Sequence, residues 1–252
     1  MTAARRGLDL ARGRQGADDV RSKGGRDIVT AADVAVEDLI RGVLSEAPGA
    51  AVIGEERGGQ APACGSAYWL VDPICGTRNY ASGIPLYSVN VALVEDGQVT
   101  VAASGDASAG DVHVAERGRG AWVQRNGAEH RLTASGQSRT VVIEVGGCEG
   151  AARRERAARG TAAAITADSW DLLALGSTLS LPYVAAGRVA GYVVFWASAL
   201  HTAAGSLLAA EAGATVTDID GHPWTISSDS VIASADPGLH ADLLDVARDR
   251  PA

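Results

Sequence analysis

The sequence predicts an α/β chain in which layered sheets present polar residues at the ends of their strands. Three observations carry that expectation. Short apolar, β-prone runs alternate with stretches whose apolar residues recur at helical spacing. Acidic residues stand where several apolar runs stop. A chain of 252 residues, 46% hydrophobic and 21% charged, suits one compact unit whose core needs no covalent staples. Within it, residues 1–135 read as an α+β lobe with a cysteine-bearing loop and a hairpin, and residues 136–252 as an α/β lobe containing His201.

Taken in order, the residues before Lys23 are polar and punctuated by glycine, with Arg5, Arg6, Arg12 and Arg14 scattered among them. They lack the apolar run of a signal peptide, and no later segment approaches a membrane span, so a cytoplasmic protein is expected. Ala31 to Leu44 has helical spacing ahead of Ala47-Pro48-Gly49, which predicts a helix running into a loop. Val52-Ile53 and Trp69-Leu70-Val71 read as short buried strands that deliver Glu55 and Asp72 at their ends. A short helix is expected from Thr77, after Gly76. Val89 to Leu93 and Gln98 to Ala103 flank Glu95-Asp96-Gly97, a hairpin signal that returns Ser104-Gly105-Asp106 toward Cys75. Arg153-Arg154-Glu155-Arg156 reads as a solvated helix face. Thr202 to Glu211 reads as a helix stopped at Ala212-Gly213, with His201 just ahead of its first turn. Thr215 to Asp218 is a strand, Asp220-Gly221 its turn, and Pro237 to Arg248 a closing helix capped by Asp236.

A net charge of -8 argues against nonspecific nucleic-acid binding. The three cysteines, widely and irregularly spaced, form neither a disulfide framework nor a redox pair, which favours a reducing compartment. Cys64 and Cys148 read as small buried hydrophobes, and His113, His130, His222 and His240 as surface or loop residues.

Cys75 lies in the run Leu70-Val71-Asp72-Pro73-Ile74-Cys75-Gly76-Thr77. That run resembles the signature loop of the inositol monophosphatase family of metal-dependent phosphatases. The segments Asp27 to Asp33 with Glu37, Ile53-Gly54-Glu55-Glu56, Ala115 to Trp122 and Gly176 to Arg188 fit the same family in order and spacing. The resemblance implies a layered α/β/α/β/α sandwich and a homodimer. In the family, an Asp-Pro-Ile-Asp-Gly-Thr segment gives two carboxylates and a carbonyl to magnesium, and Cys75 replaces the second carboxylate. A later Trp-Asp-x-Ala-Ala-Gly element supplies another ligand, and here Leu200-His201-Thr202-Ala203-Ala204-Gly205 puts a histidine in its place. Acids that the family sets against substrate fall on Val194 and Ala190.

Two replaced ligands of one metal should be neighbours in space, and a thiol beside an imidazole reads as a nucleophile and general base. Asp106 is the expected orienting acid, with Asp72 and Asp33 as alternatives. Amides near Gly76 and Thr77 would support a thiolate or oxyanion, and the helix N-terminus would favour a neutral His201 imidazole. This combination resembles the Cys/His Dieckmann cyclases that release tetramic acids and pyridones in antibiotic biosynthesis. That resemblance implies an acyl-Cys75 intermediate, a carrier-protein-bound polyketide-peptide thioester as partner, and no metal or cofactor. A thioesterase-like hydrolase could use the same pair.

Two other readings stand beside it. Glu55, Glu56, Asp72 and Asp33 together with Cys75 and His201 could hold zinc in an altered phosphatase or hydrolase, although the single thiol lacks paired-cysteine spacing. The acids could instead cap backbone amides, and the scaffold could be a noncatalytic binding protein.

Overall fold

The structure, a computed structural model, describes residues 1–252 except 17–19, 25–26, 47–49, 63–64, 146–149 and 249–252. Cys64, Cys148 and the Ala47-Pro48-Gly49 loop lie outside the described residues. Helix α1 (Thr2–Arg14) is followed by β1 (Val20–Gly24), β2 (Asp27–Thr30), α2 (Ala31–Ser45), β3 (Ala51–Gly54), β4 (Tyr68–Cys75) and α3 (Thr77–Ala81). Five strands come next: β5 (Ser88–Glu95), β6 (Gln98–Asp106), β7 (Asp111–Glu116), β8 (Gly120–Arg125) and β9 (Ala128–Arg131). The remainder runs β10 (Thr140–Glu144), α4 (Ala151–Ala167), β11 (Asp171–Leu173), α5 (Ser180–Ala185), β12 (Gly191–Val194), α6 (Ala199–Glu211), β13 (Thr215–Thr217), β14 (Val231–Ser234) and α7 (Pro237–Arg248).

These elements stack in five layers, as the family resemblance implied. A seven-stranded sheet of order β3-β4-β5-β6-β7-β8-β9 is antiparallel except where β3 runs parallel to β4. Its outer face is covered by α1 and α2. A five-stranded sheet of order β11-β10-β12-β14-β13 has α4 and α7 on its outer face. Helices α5 and α6 form the middle layer and pack between the two sheets. These two large sheets thus pack on both faces against helices, the usual solution for a layered α/β core, while β1 and β2 form a separate two-stranded antiparallel ribbon.

Helix α1 was not expected. Its buried residues Ala3, Ala4, Gly7, Leu8 and Ala11 recur at helical spacing, but all except Leu8 are small, and arginines occupy the other faces. Helix α2 starts on a reciprocal cap: Asp33 N–H donates to the Thr30 side chain, and the Asp33 carboxylate accepts from Thr30 N–H. The expected hairpin forms, with Asp96 and Gly97 at φ 49° and 73°, as a two-residue turn matched to strand twist requires. Asn126-Gly127 turns β8 into β9 in the same way, at φ 50° and 79°. Asp236 caps α7 by accepting from Leu239 N–H at 2.7 Å.

Two histidines assigned to the surface are buried. His113 on β7 is 0% exposed, and His240 on α7 accepts or donates a 3.0 Å hydrogen bond at Nε2 with Thr217 Oγ1. Their isolation in polar or mixed sequence hides the sheet and helix contacts that cover them. His130 and His222 are exposed as expected. Arg153 to Arg156 lie on exposed positions of α4, except that Arg156 reaches Ala247 O and Asp220.

The middle layer explains the small residues after His201. Ala203 and Ala204 are buried between layers, and a Cβ on Gly205 would stand 2.5 Å from Leu181 Cβ of α5. Gly205→Ala is therefore expected to destabilise the protein by about 1–3 kcal/mol through overpacking. Urea unfolding midpoints check this, and an unchanged midpoint would refute the tight α5–α6 contact.

Candidate active site

Strand β4 carries two of the site residues. It pairs with β5 through Asp72↔Asn90 and Cys75↔Ser88, and the register shifts between them. Pro73 sits in that irregular stretch, where its missing N–H leaves no central ladder bond to lose. The irregularity lets Asp72 and Cys75, three residues apart, both reach the site. Gly76 follows at φ 106°, and a Cβ there would crowd Leu86 O and Gly176 O.

His201 comes from α6, 129 residues after Asp72. Its Nδ1 is 2.7 Å from Asp72 Oδ2. The structure places it in the first turn of α6, behind the N-cap Ser198. Burial pushes the His201 pKa down, but the Asp72 carboxylate, by charge and hydrogen bond, and the Cys75 side chain raise it well above its ordinary value. This corrects the expectation of a neutral imidazole: a full carboxylate charge in contact outweighs the partial charge of a helix terminus.

Ligand-capable atoms of Asp72, Cys75 and His201 all lie within 4.8 Å of one another. The two replaced positions therefore meet in space, as the register of the motifs implied. Burial, followed by the Asp72 charge, raises the Cys75 thiol pKa, against opposing contributions from His201 and Thr178. Thr178 donates to sulfur from Oγ1 at 2.9 Å and from its N–H at 3.4 Å, and the His201 side chain also hydrogen-bonds the thiol. Asn90 Nδ2 in turn donates to Thr178 Oγ1 at 3.1 Å. Thr178 was missed in the sequence, although it directly follows the matched Gly176-Ser177 pair. Ser177 Oγ donates to Cys75 O at 2.7 Å, so this loop holds both ends of the cysteine.

Asp106 is not the acid that orients His201. The hairpin does return it, but Asp106 pairs with Ser88, which lies between it and Cys75 in the sheet. Its Oδ1 accepts from Ser108 N–H at 2.9 Å, Ser108 Oγ at 2.7 Å and Ala109 N–H at 3.1 Å, and Arg188 stands 3.5 Å from its other oxygen. A turn carboxylate so engaged has a local structural task. Asp33 is likewise engaged, accepting at Oδ2 from Thr30 N–H at 2.8 Å and Thr30 Oγ1 at 2.6 Å. Thr77 Oγ1 lies 3.2 Å from Asp33 Oδ1 and 3.1 Å from Ile74 O. Glu37 holds the turn after β3, accepting from Glu56 N–H at 2.6 Å and Arg57 N–H at 3.0 Å.

Glu55 and Asp72 remain at the site. Glu55 Oε2 is 4.0 Å from His201 Nδ1. Burial first, and then the Asp72 charge, push its pKa up to about 8, against the pull of His201 and Lys23. Asp72 is 0% exposed, and its Oδ1 is buried without a hydrogen-bond partner. An orphaned carboxylate oxygen beside a second carboxyl suits a divalent cation between them. The magnesium that the family implies fits there. It does not fit the position bounded by Cys75 and His201, because magnesium prefers oxygen ligands to a thiol or an imidazole.

A family model described as the inositol monophosphatase family matches residues 2–252. The chain belongs to that family. An inositol-1-monophosphatase of Mesorhizobium japonicum is 36% identical over 220 residues, covering 85% of this chain and 80% of that protein. A histidinol-phosphatase of Mycobacterium tuberculosis is 35% identical over 230 residues, covering 88% and 86%. In structure, the Thermotoga maritima IMPase superposes with a TM-score of 0.84 at 26% identity, covering 98% of this chain and 94% of that one.

These relatives correct the expectation of a metal-independent Dieckmann cyclase making tetramic acid or pyridone antibiotics. They are named as phosphatases, and the likeness spans nearly the whole chain. Two exchanged side chains do not outweigh the retained scaffold and the retained acids. Among the described residues, no helix is long and apolar enough to cross a membrane.

Two predictions follow from the geometry. Asp72→Asn should lower the His201 pKa and Asp106→Asn should leave it in place, as read by NMR titration of the ring protons. The raised Glu55 pKa means that the metal-free folded state binds more protons than the unfolded chain between its ordinary value and about 8. Glu55 should therefore make the metal-free protein lose stability as pH rises through that window. Glu55→Gln should recover on the order of 1–2 kcal/mol at the alkaline end, measured by urea unfolding across pH.

Proposed function

We propose that the protein is a metal-dependent phosphohydrolase with an altered metal centre. The observation that carries this reading is the buried, partnerless Asp72 Oδ1 beside Glu55, an acid pair whose charges call for a cation. Family membership supplies the reaction class.

A bound divalent ion would polarise phosphate oxygens and acidify a water. Glu55 and Asp72 are the residues that would hold it. While its ring holds no metal, His201, whose pKa the Asp72 carboxylate raises, adds a positive charge where an anionic phosphate would approach. The Asp72 contact fixes the ring, so this charge is oriented before substrate arrives. Thr178 and Ser177 hold the Cys75 loop against the middle layer, which keeps the donor atoms in place.

The alcohol portion of the substrate is expected to carry few hydroxyls. Val194 and Ala190, at positions where the family resemblance places acids, are 4% and 1% exposed and offer no polar side-chain atom. A relative named as a histidinol-phosphatase shows that membership does not dictate an inositol substrate.

Phosphate release from a panel of phosphomonoesters, with magnesium, manganese or zinc and with chelator, tests the reading. Cation-dependent release is expected, and Asp72→Asn and Glu55→Gln should each lower kcat/KM by about 100-fold or more. Release that persists in chelator, or a folded protein inactive with every cation and ester, would overturn it.

A further inference from the structure

We propose that Asp72, Cys75 and His201, with Glu55 as a fourth donor, form a site for a thiophilic divalent ion of the zinc type in place of the family's second hard cation. The inference concerns the site read above as a phosphohydrolase centre, but metal capture there is measurable without turnover.

The donor set is the first argument. A carboxylate, a thiol and an imidazole converge within 4.8 Å, and Glu55 Oε2 stands 4.0 Å from the imidazole. Around a tetrahedral ion with bonds of about 2.0–2.3 Å, neighbouring donor atoms are separated by about 3.3–3.8 Å. Thiolate and imidazole select zinc and its soft neighbours, whereas magnesium takes oxygen.

Asp72 gives a second, independent argument. One of its oxygens is spent on His201, and the other is buried with no partner. A structural Asp–His pair accounts for Oδ2 only. The oxygen left over points to a group absent from the protein chain itself.

The surroundings are suited to a thiolate ligand. Thr178 presents both its N–H and its hydroxyl to Sγ, and these donors stabilise a sulfur anion without competing for the metal. Cys75 enters coordination as the thiolate and His201 as the neutral imidazole, so the S–H bond and one ring N–H bond break, both protons pass to solvent, and sulfur and the freed ring nitrogen donate their electron pairs to the ion. The ion's charge is unchanged and no oxidant or reductant is consumed.

Cobalt(II) titration of the chelator-treated full-length protein is the test, because a tetrahedral cobalt-thiolate centre has both a near-ultraviolet charge-transfer band and strong visible ligand-field bands. A single equivalent should produce both, zinc should abolish them, and excess magnesium should not. Cys75→Ser should lose the charge-transfer band and bind zinc about 100-fold more weakly with an unchanged circular dichroism spectrum, and His201→Ala should also weaken zinc. A Cys64→Ser/Cys148→Ser protein should keep the band.

Absence of the band in the wild type, or its survival in Cys75→Ser, would overturn the proposal. Magnesium-dependent phosphate release without a cobalt-thiolate band would sink this site and leave the phosphohydrolase reading intact. A stoichiometric band in a protein that hydrolyses no phosphomonoester would do the reverse.

Discussion

The close packing of α6 between two sheets is the constraint on which the site depends. Ala203, Ala204 and Gly205 have no bulk to hold the layers apart, and Leu181 of α5 occupies the space that a Gly205 side chain would need. This brings the first turn of α6 close to the end of β4, so that His201 meets Asp72 at 2.7 Å. Had the helix stood an ångström or two farther out, the imidazole and carboxylate would not share a proton. The same packing brings together groups separated by more than half the chain.

Charge balance then sets the character of the cluster. Asp72 and Glu55 repel each other in a partly buried space, and His201 answers only part of that negative charge. In a family that solves the problem with hard cations, replacing two carboxylates by a thiol and an imidazole removes negative charge and adds a titratable positive one. The replacements are coherent as a pair: either exchange alone would leave a mixed site poorly matched to magnesium and short of soft donors. Asp33 and Glu37 show the other fate of retained acids, since backbone amides satisfy them and they anchor the turns around the site.

Much of this was legible in the sequence because the relevant signals are local. The cap at Asp236, the Asp96-Gly97 turn and the placement of Glu55 just after β3 each follow from chemistry confined to a few residues, whereas Asp72, expected at a strand end, lies inside β4. The meeting of Cys75 with His201 was legible only through motif register. Asp106 misled because hairpin direction tells which end of a sheet a residue reaches, but not how many strands separate it from its target. Thr178 was hidden because a hydroxyl that serves a thiol has no spacing rule. Helix α1 was hidden by its small buried face. The cyclase reading failed for a different reason: a pair of side chains competent for covalent chemistry does not by itself name a reaction.

The edges of the seven-stranded sheet have a consequence for life in a crowded solution. Strand β9 is exposed along its whole length and carries Glu129, His130 and Arg131. At the opposite edge β3 is only four residues long, and the chain folds back over its end through a bridge between Gly54 and Gly58. Unpaired backbone on a wide sheet invites strands from other molecules, and mixed charge or a short, covered edge discourages them. Both borders of the sheet that bears Cys75 and Asp72 are thus poor templates for self-association by strand addition. The protein can keep a broad, largely apolar sheet soluble without closing it into a barrel.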